Sequence, residues 1–360
     1  MKFRLAVLDR DYSYLNKMIS SFQSKLSNKV ELYAFTDENI VMPEISASRI
    51  NVLLATTEFQ NMPGELPSRC GFAYLVETKD ITHYNDRPAI CKYQSVESLY
   101  SEIIKLFADN MSNDFIIRGR QNKCPVFLFT SASGGVGTST IAVATAKSMV
   151  SHGKTPIYIN AESFGSSDIY FSGEGTLHFG DVIYSIKSKK TNLTLKLEAA
   201  IKRDISGVYF YSPPQNSLDI QELTYDEFEL FFNQLAQMEF CDCIIADINL
   251  FSSKASLVLL NEAHRIIFVT DGSDVSNMKL QRVYDTLCVL EKNSDSDILS
   301  KTVLFYNKFS NKTGMKSDLS GLNSIGGIHK YEHMTTTQIV NKMVTDSIIT
   351  PVTQHLIGGA

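Results

Sequence analysis

The stretch from Val126 to Thr140 constrains this chain more than any other. Val126-Phe127-Leu128-Phe129-Thr130 predicts a strand, and Ser131-Ala132-Ser133-Gly134-Gly135-Val136-Gly137-Thr138-Ser139-Thr140 follows it. Ile141, Ala142, Val143, Ala144, Ala146, Met149 and Val150 then predict a helix from about Ser139, with Gly153 where a C-terminal glycine cap belongs. Strand, glycine loop and helix in that order are what an anion-binding loop needs. Glycines let backbone N–H groups turn inward and approach an anion closely. The helix N-terminus adds unpaired donors and partial positive charge.

Ser133, Gly134, Gly135, Val136, Gly137, Thr138, Ser139 and Thr140 are therefore the candidate phosphate-binding residues, and the Ser139 hydroxyl is the candidate ligand for Mg²⁺. The lysine that usually precedes such a hydroxyl is Thr138 here, and a lysine often found at the start of the loop is Ser133. Loss of a charged hydrogen bond to phosphate costs about 1.5–3 kcal/mol, or roughly ten- to a hundredfold in affinity. Catalysis should suffer more than binding, because charge builds up at that point in the transition state.

The chain has 360 residues, which implies two domains. Hydrophobic residues make up 44% and charged residues 20%, so the chain is ordinary globular material. A net charge of -5 without long single-sign runs argues against a general nucleic-acid binder. The apolar runs are too short to span a membrane, and the start reaches Asp9 too soon for a signal peptide. The six cysteines are scattered and are expected to be buried thiols in a reducing cytosol.

Both halves read as α/β with parallel sheets. In the first, strands are expected at 3–8, 30–35, 51–55, 72–76 and 89–92, with a helix carrying Leu15, Met18, Ile19, Phe22 and Leu26 and another from Leu99 to Phe107. In the second, strands are expected at 126–130, 157–160, 208–211, 244–247, 266–270 and 303–307. Several lack alternation, as strands covered on both faces do. The expected division is 1–112 for the first domain, 113–123 for a linker and 124–360 for the second domain.

Three further positions bear on the loop. Asp247 ends the apolar strand Cys243-Ile244-Ile245-Ala246 and can hold a Mg²⁺-bound water, or be an ordinary strand-end acid. Asn307-Lys308 follows the strand 303–306 at the sheet edge where α/β ligands bind; the asparagine amide can read a base edge or simply suit a turn. Glu162 can orient a water as a catalytic group, or be a solvated loop acid.

Together these residues resemble the ParA/MinD superfamily of deviant Walker ATPases, and within it the TadZ/CpaE-like pilus-assembly branch. The Gly-Gly-Val-Gly-Thr-Ser-Thr string and the domain order carry that likeness. The resemblance implies two doubly wound parallel-sheet domains, a receiver-like flavodoxin-type unit and then a ParA/MinD-type P-loop NTPase. It implies ATP and Mg²⁺ as cofactors, with Asn307 as the adenine reader, Lys308 beside it, Ser139 and Asp247 (through water) at the metal, and Glu162 near Asn160 where the superfamily has Asp-x-Asp. Ser133, Thr138 and Asn160 depart from the pattern, and all three touch catalysis. Lys254 is a nearby cation that can substitute.

The first domain resembles a response-regulator receiver. Asp9 and Asp11 match its acidic pair, Lys92 its last-strand lysine, and Thr78 lies near its hydroxyl position. The acceptor aspartate should close the third strand, but Leu53-Leu54-Ala55-Thr56-Thr57 supplies no acid before Glu58. The expectation is a pseudo-receiver that is not phosphorylated and serves in docking or dimerisation.

Other strings carry less. His329-Lys330-Tyr331-Glu332-His333 matches a zinc-peptidase string without the helix it needs, and Cys241-x-Cys243 has no second pair to complete a metal site. Pro351 and the closing Gly358-Gly359-Ala360 argue against a MinD-like C-terminal membrane helix. The resemblance thus implies a cytoplasmic ATP-binding localisation or assembly factor for a Tad-type (type IVc) pilus, at the cell pole or at the membrane through partners. It would be a homodimer through its ATPase domain, contacting pilus and secretion proteins, with weak or no hydrolysis and neither specific nucleic-acid binding nor membrane insertion. A cycling partitioning or positioning ATPase is the alternative, and a regulator that never binds nucleotide is a third.

Overall fold

The computed structural model describes residues 3–60, 66–67, 70–110, 123–188, 192–250, 257–294 and 297–358. Most of the expected linker, and Lys254, lie outside them. The chain forms two compact units: Met1–Ile117 with Glu174–Thr176 and Lys189–Ala200, and the remainder from Arg118.

In the first unit, β1 (Phe3–Leu8), α1 (Tyr12–Leu26), β2 (Val30–Phe35), α2 (Glu38–Ala47), β3 (Val52–Thr56), β4 (Gly71–Val76), β5 (His83–Tyr84), β6 (Arg87–Cys91) and α3 (Val96–Asn110) follow in order. The sheet order is β2-β1-β3-β4-β6-β5, parallel except for β5. β3 and β4 are buried at every residue, which is why their sequences are apolar without alternation. Asp11 caps α1, its side chain accepting from the Tyr14 N–H at 3.0 Å.

In the second unit, β7 (Val126–Thr130), α4 (Thr138–Ser151), β8 (Pro156–Asn160), α5 (Ser167–Tyr170) and α6 (Phe179–Lys187) come first. The next helix, α7 (Leu193–Ala200), groups with the first unit, where the Lys29 ammonium and the Tyr100 hydroxyl both reach Glu198 Oε1, at 2.5 and 3.1 Å. Then come β9 (Lys202–Arg203), β10 (Tyr209–Phe210), α8 (Tyr225–Ala236), β11 (Cys243–Asp247), α9 (Val258–Glu262), β12 (Arg265–Thr270), α10 (Asp274–Ser294), β13 (Thr302–Phe309), β14 (Asn323–His329), α11 (Thr336–Thr345) and α12 (Thr350–Gly358).

The second sheet has the order β14-β13-β12-β7-β11-β8-β10-β9 and is parallel except for β9. The strand expected at 208–211 shortens to two residues at the sheet's far side. β7 and β11 are wholly buried, so the glycine loop leaves from the centre of the sheet.

Ten of the fourteen residues of α4 are buried, among them the small hydroxyl residues Thr138, Thr140, Thr145 and Ser148. One side meets the sheet, and Val340 and Met343 of α11 with Val352 and Leu356 of α12 complete the same core. The Thr353 hydroxyl meets the Ser148 hydroxyl at 3.0 Å within it. The segment after Pro351 is a helix, but one packed into the core. Proline sits in its first turn, where no intrahelical N–H is required. Its apolar face is spent on the core.

Candidate functional site

β7, β8, β11 and β13 end at the same edge of the second sheet and bring the singled-out residues together. In the ladder Asp247 pairs with Phe129 on one side and Asn160 on the other. Gly137 precedes α4 with φ 88°, a left-handed turn that glycine adopts without strain. A Cβ there would stand 2.4 Å from Asn307 Nδ2, so the loop and the end of β13 approach too closely for any side chain. Nothing lies within 4 Å of the place a Cβ would take at Gly134 or Gly135, which leaves the outer face of the loop open.

Asp247 is completely buried (0% exposed). Its Oδ2 accepts from the Tyr158 hydroxyl at 2.6 Å and the Asn160 amide at 3.2 Å. Burial first, and the Glu162 carboxylate second, push the Asp247 carboxyl up to about 7; Tyr158, Ser139 and Asn160, as donors, pull it back down. Burial likewise raises Glu162, and burial beside Asp247 raises Tyr158 strongly. Asp247 Oδ1 and Ser133 Oγ are buried without a hydrogen-bond partner among the described residues. Such orphans are costly unless a ligand or water completes them.

Asn160 explains its own departure from an acid. Its amide donates to Asp247 while its Oδ1 accepts the Glu162 N–H at 3.1 Å, so one side chain fixes both carboxylate residues. A carboxylate at 160 has no proton to give Asp247 at neutral pH. Tyr158 went unnoticed in the sequence because it lies inside an apolar strand, and only the β8–β11 register sets its hydroxyl on Asp247.

Asn307 is buried (3% exposed), and its Nδ2 donates to the Val136 carbonyl at 2.7 Å. Lys308 is exposed, and its Nζ donates to the Gly135 carbonyl at 2.6 Å. Ser139 is half-buried at the start of α4, while Thr138, Thr140 and Val136 are buried. The site can therefore offer backbone donors at a helix N-terminus, a hydroxyl, and a carboxylate oxygen not yet engaged. That set suits an anion carrying a hard divalent cation.

In the first unit Asp9 is buried (3% exposed) and Lys92 lies against it, Nζ to Oδ2 at 3.3 Å. Asp9 Oδ1 accepts the Asp11 N–H at 2.8 Å, while Asp11 is exposed and occupied as a cap. Lys92 also lies over the Tyr14 ring at 4.8 Å. Thr56 closes β3, with its hydroxyl buried and without a hydrogen-bond partner among the described residues. Thr78 is exposed beyond the end of β4.

His329 ends a strand, its Nδ1 2.9 Å from the Phe309 carbonyl, and His333 lies in a bend with φ 58°. The two do not share a helix face. Cys124 and Cys241 are buried neighbours, Sγ to Sγ 3.1 Å, and burial pushes the Cys243 thiol up to about 12. No helix among the described residues is long and apolar enough to cross a membrane.

Comparison with known proteins bears on both units. Residues 1–108 match the family model described as the TadZ-like receiver domain. No curated protein matches the chain. Among solved structures, a ParA family ATPase from Chlorobium tepidum TLS is 20% identical, covering 64% of this chain and 98% of its own, with a TM-score of 0.50. A McdA–ATP complex from Cyanothece is 13% identical, covering 66% and 97%, also at 0.50. The MinD cell division protein of Aquifex aeolicus is 15% identical, covering 65% and 97%, at 0.49. The first two likenesses show the fold of the second unit. The chain therefore joins an N-terminal unit that matches the TadZ-like receiver model over residues 1–108 to an α/β unit with the fold of a ParA family ATPase.

Proposed function

We propose that this protein is an ATP-binding localisation or assembly factor for a Tad-type pilus, held as a homodimer by ATP·Mg²⁺ and turning it over slowly or not at all. One observation carries the proposal: the groups suited to holding a magnesium-bound triphosphate are assembled, while both lysine positions of the loop are Ser133 and Thr138. Bound ATP·Mg²⁺ would supply a polyanion and a hard cation able to join two copies.

Within the chain, Gly134 to Thr140 would bind phosphate through the backbone. Ser139 would take the metal directly and Asp247 would take it through water. Tyr158 and Asn160 hold the Asp247 carboxylate by its other oxygen. Asn307 and Lys308 lie at the nucleotide end of β13, and Glu162 is the one candidate for orienting water. Neither Ser133 nor Thr138 can neutralise charge developing on a transferred phosphoryl group, so turnover is expected to be low. The match of residues 1–108 supports the Tad pilus as the setting and other pilus proteins as partners. A cytoplasmic site of action, at the pole or at the membrane through those partners, belongs to the same proposal.

Mg²⁺·ATP at about 100 times Kd should stabilise the protein by roughly 2.7 kcal/mol in a thermal or denaturant melt. Sedimentation should show a dimer under the same conditions, with phosphate release near background. Rapid hydrolysis stimulated by DNA or vesicles would instead point to a cycling positioning ATPase, and a flat melt would exclude the nucleotide altogether.

A further inference from the structure

Lys308 is an exposed cation that touches the phosphate loop through a backbone carbonyl. It lies in β13 with φ 59°, a left-handed conformation that costs a non-glycine residue free energy unless its surroundings enforce it. The β13–β14 ladder shifts register between Tyr306 and Phe309, so a bulge turns the strand at this residue and re-aims its side chain. The result is paired contacts: Lys308 Nζ on the Gly135 carbonyl at 2.6 Å, and Asn307 Nδ2 on the Val136 carbonyl at 2.7 Å.

In a planar trans peptide the carbonyl and the N–H point in opposite directions. Holding the Gly135 carbonyl therefore sets the direction of the Val136 N–H, and holding the Val136 carbonyl sets that of the Gly137 N–H. A cation on the carbonyl also polarises the peptide and makes its N–H a stronger donor. Independently, the Ser133 hydroxyl and Asp247 Oδ1 are buried with no hydrogen-bond partner among the described residues, as polar groups that a ligand completes would be.

We propose that Lys308, together with Asn307, is a positioning cation for the phosphate loop: from the back of the loop it fixes and polarises the Val136 and Gly137 amides. It thereby returns through the backbone part of the phosphate affinity that Ser133 and Thr138 lack. The effect on affinity rests on the nucleotide function proposed above, but the effect on the loop does not.

The test uses the full chain with Lys308→Met and Lys308→Arg. Hydrogen–deuterium exchange without nucleotide should speed up about tenfold at the loop amides after Lys308→Met, and stay near wild type after Lys308→Arg. Calorimetric titration with Mg²⁺·ATP should show about tenfold weaker binding for Lys308→Met, the fold-change expected for a charged hydrogen bond. Lys308→Arg should remain within about threefold, because it keeps both charge and donor. Unchanged exchange and affinity after Lys308→Met overturn the proposal, as does an arginine variant no better than methionine. Faster exchange spread across the whole sheet overturns it too. If wild type binds no Mg²⁺·ATP, the nucleotide function fails, and loop exchange alone still decides the role of Lys308.

Discussion

At the residue scale, the site is defined by how few of its side chains are free to change. Gly137 combines a left-handed φ with a Cβ position already taken by Asn307 Nδ2. Gly137→Ala should lower stability by about 1–3 kcal/mol, since it adds backbone strain and breaks the Asn307 contact; urea unfolding would measure it. Asn160→Asp restores the residue type of the superfamily pattern yet should destabilise the protein by about 2–4 kcal/mol without Mg²⁺. It removes the amide donor from a buried carboxylate and adds a like charge beside it. Equal stability of that variant and wild type in Mg²⁺-free unfolding would show that the Asn160–Asp247 bond does not support the fold. Both residues were legible as loop or strand-end positions in the sequence, but their partners were not.

At the element scale, α4 ties the phosphate loop to the core. Its sequence announced a helix, but not what would cover it. The cover is α11 and α12, more than 180 residues further along the chain. Leu356→Ala in α12 should cost about 2–4 kcal/mol, because the side chain is fully buried and its removal opens a cavity beside α4; chemical denaturation reads that directly. Thr353 of α12 meets Ser148 of α4 across 205 positions, so no local pattern shows that the apolar side chains of 348–352 have a partner. β14 was illegible for a different reason. Asn323-Ser324-Ile325-Gly326-Gly327-Ile328-His329 has neither an apolar run nor strict alternation, and pairing with β13 makes it a strand.

At the scale of the whole molecule, two largely parallel sheets carry the two candidate sites, and each departs from the pattern it resembles in a different way. In the second unit the loop's cations are missing while its backbone, hydroxyl and acid remain. In the first, Thr56 stands where a receiver would carry its acceptor, and Lys92 is paired with Asp9. Treatment of the intact protein with acetyl phosphate should therefore leave residues 1–108 without an aspartyl phosphate. Intact-mass analysis under acidic conditions would reveal one as a gain of a single phosphoryl group. Grouping of α7 with the first unit could not be read in advance, since chain order alone assigns those residues to the second.

The sequence by itself determined the fold class, most strands of both sheets, the position of the glycine loop, and the absence of lysine from it. These are local matters of period, turn chemistry and residue type. Tertiary structure decided what surrounds the loop. Tyr158 and Asn160 meet Asp247 only because parallel strands from distant parts of the chain fall into one register. Lys308 meets Gly135 only because a bulge turns β13 toward the loop. Hydrogen bonds spanning 87 to 173 residues follow no local pattern, so the missing cations were visible in the sequence, whereas Lys308 at the back of the loop was not.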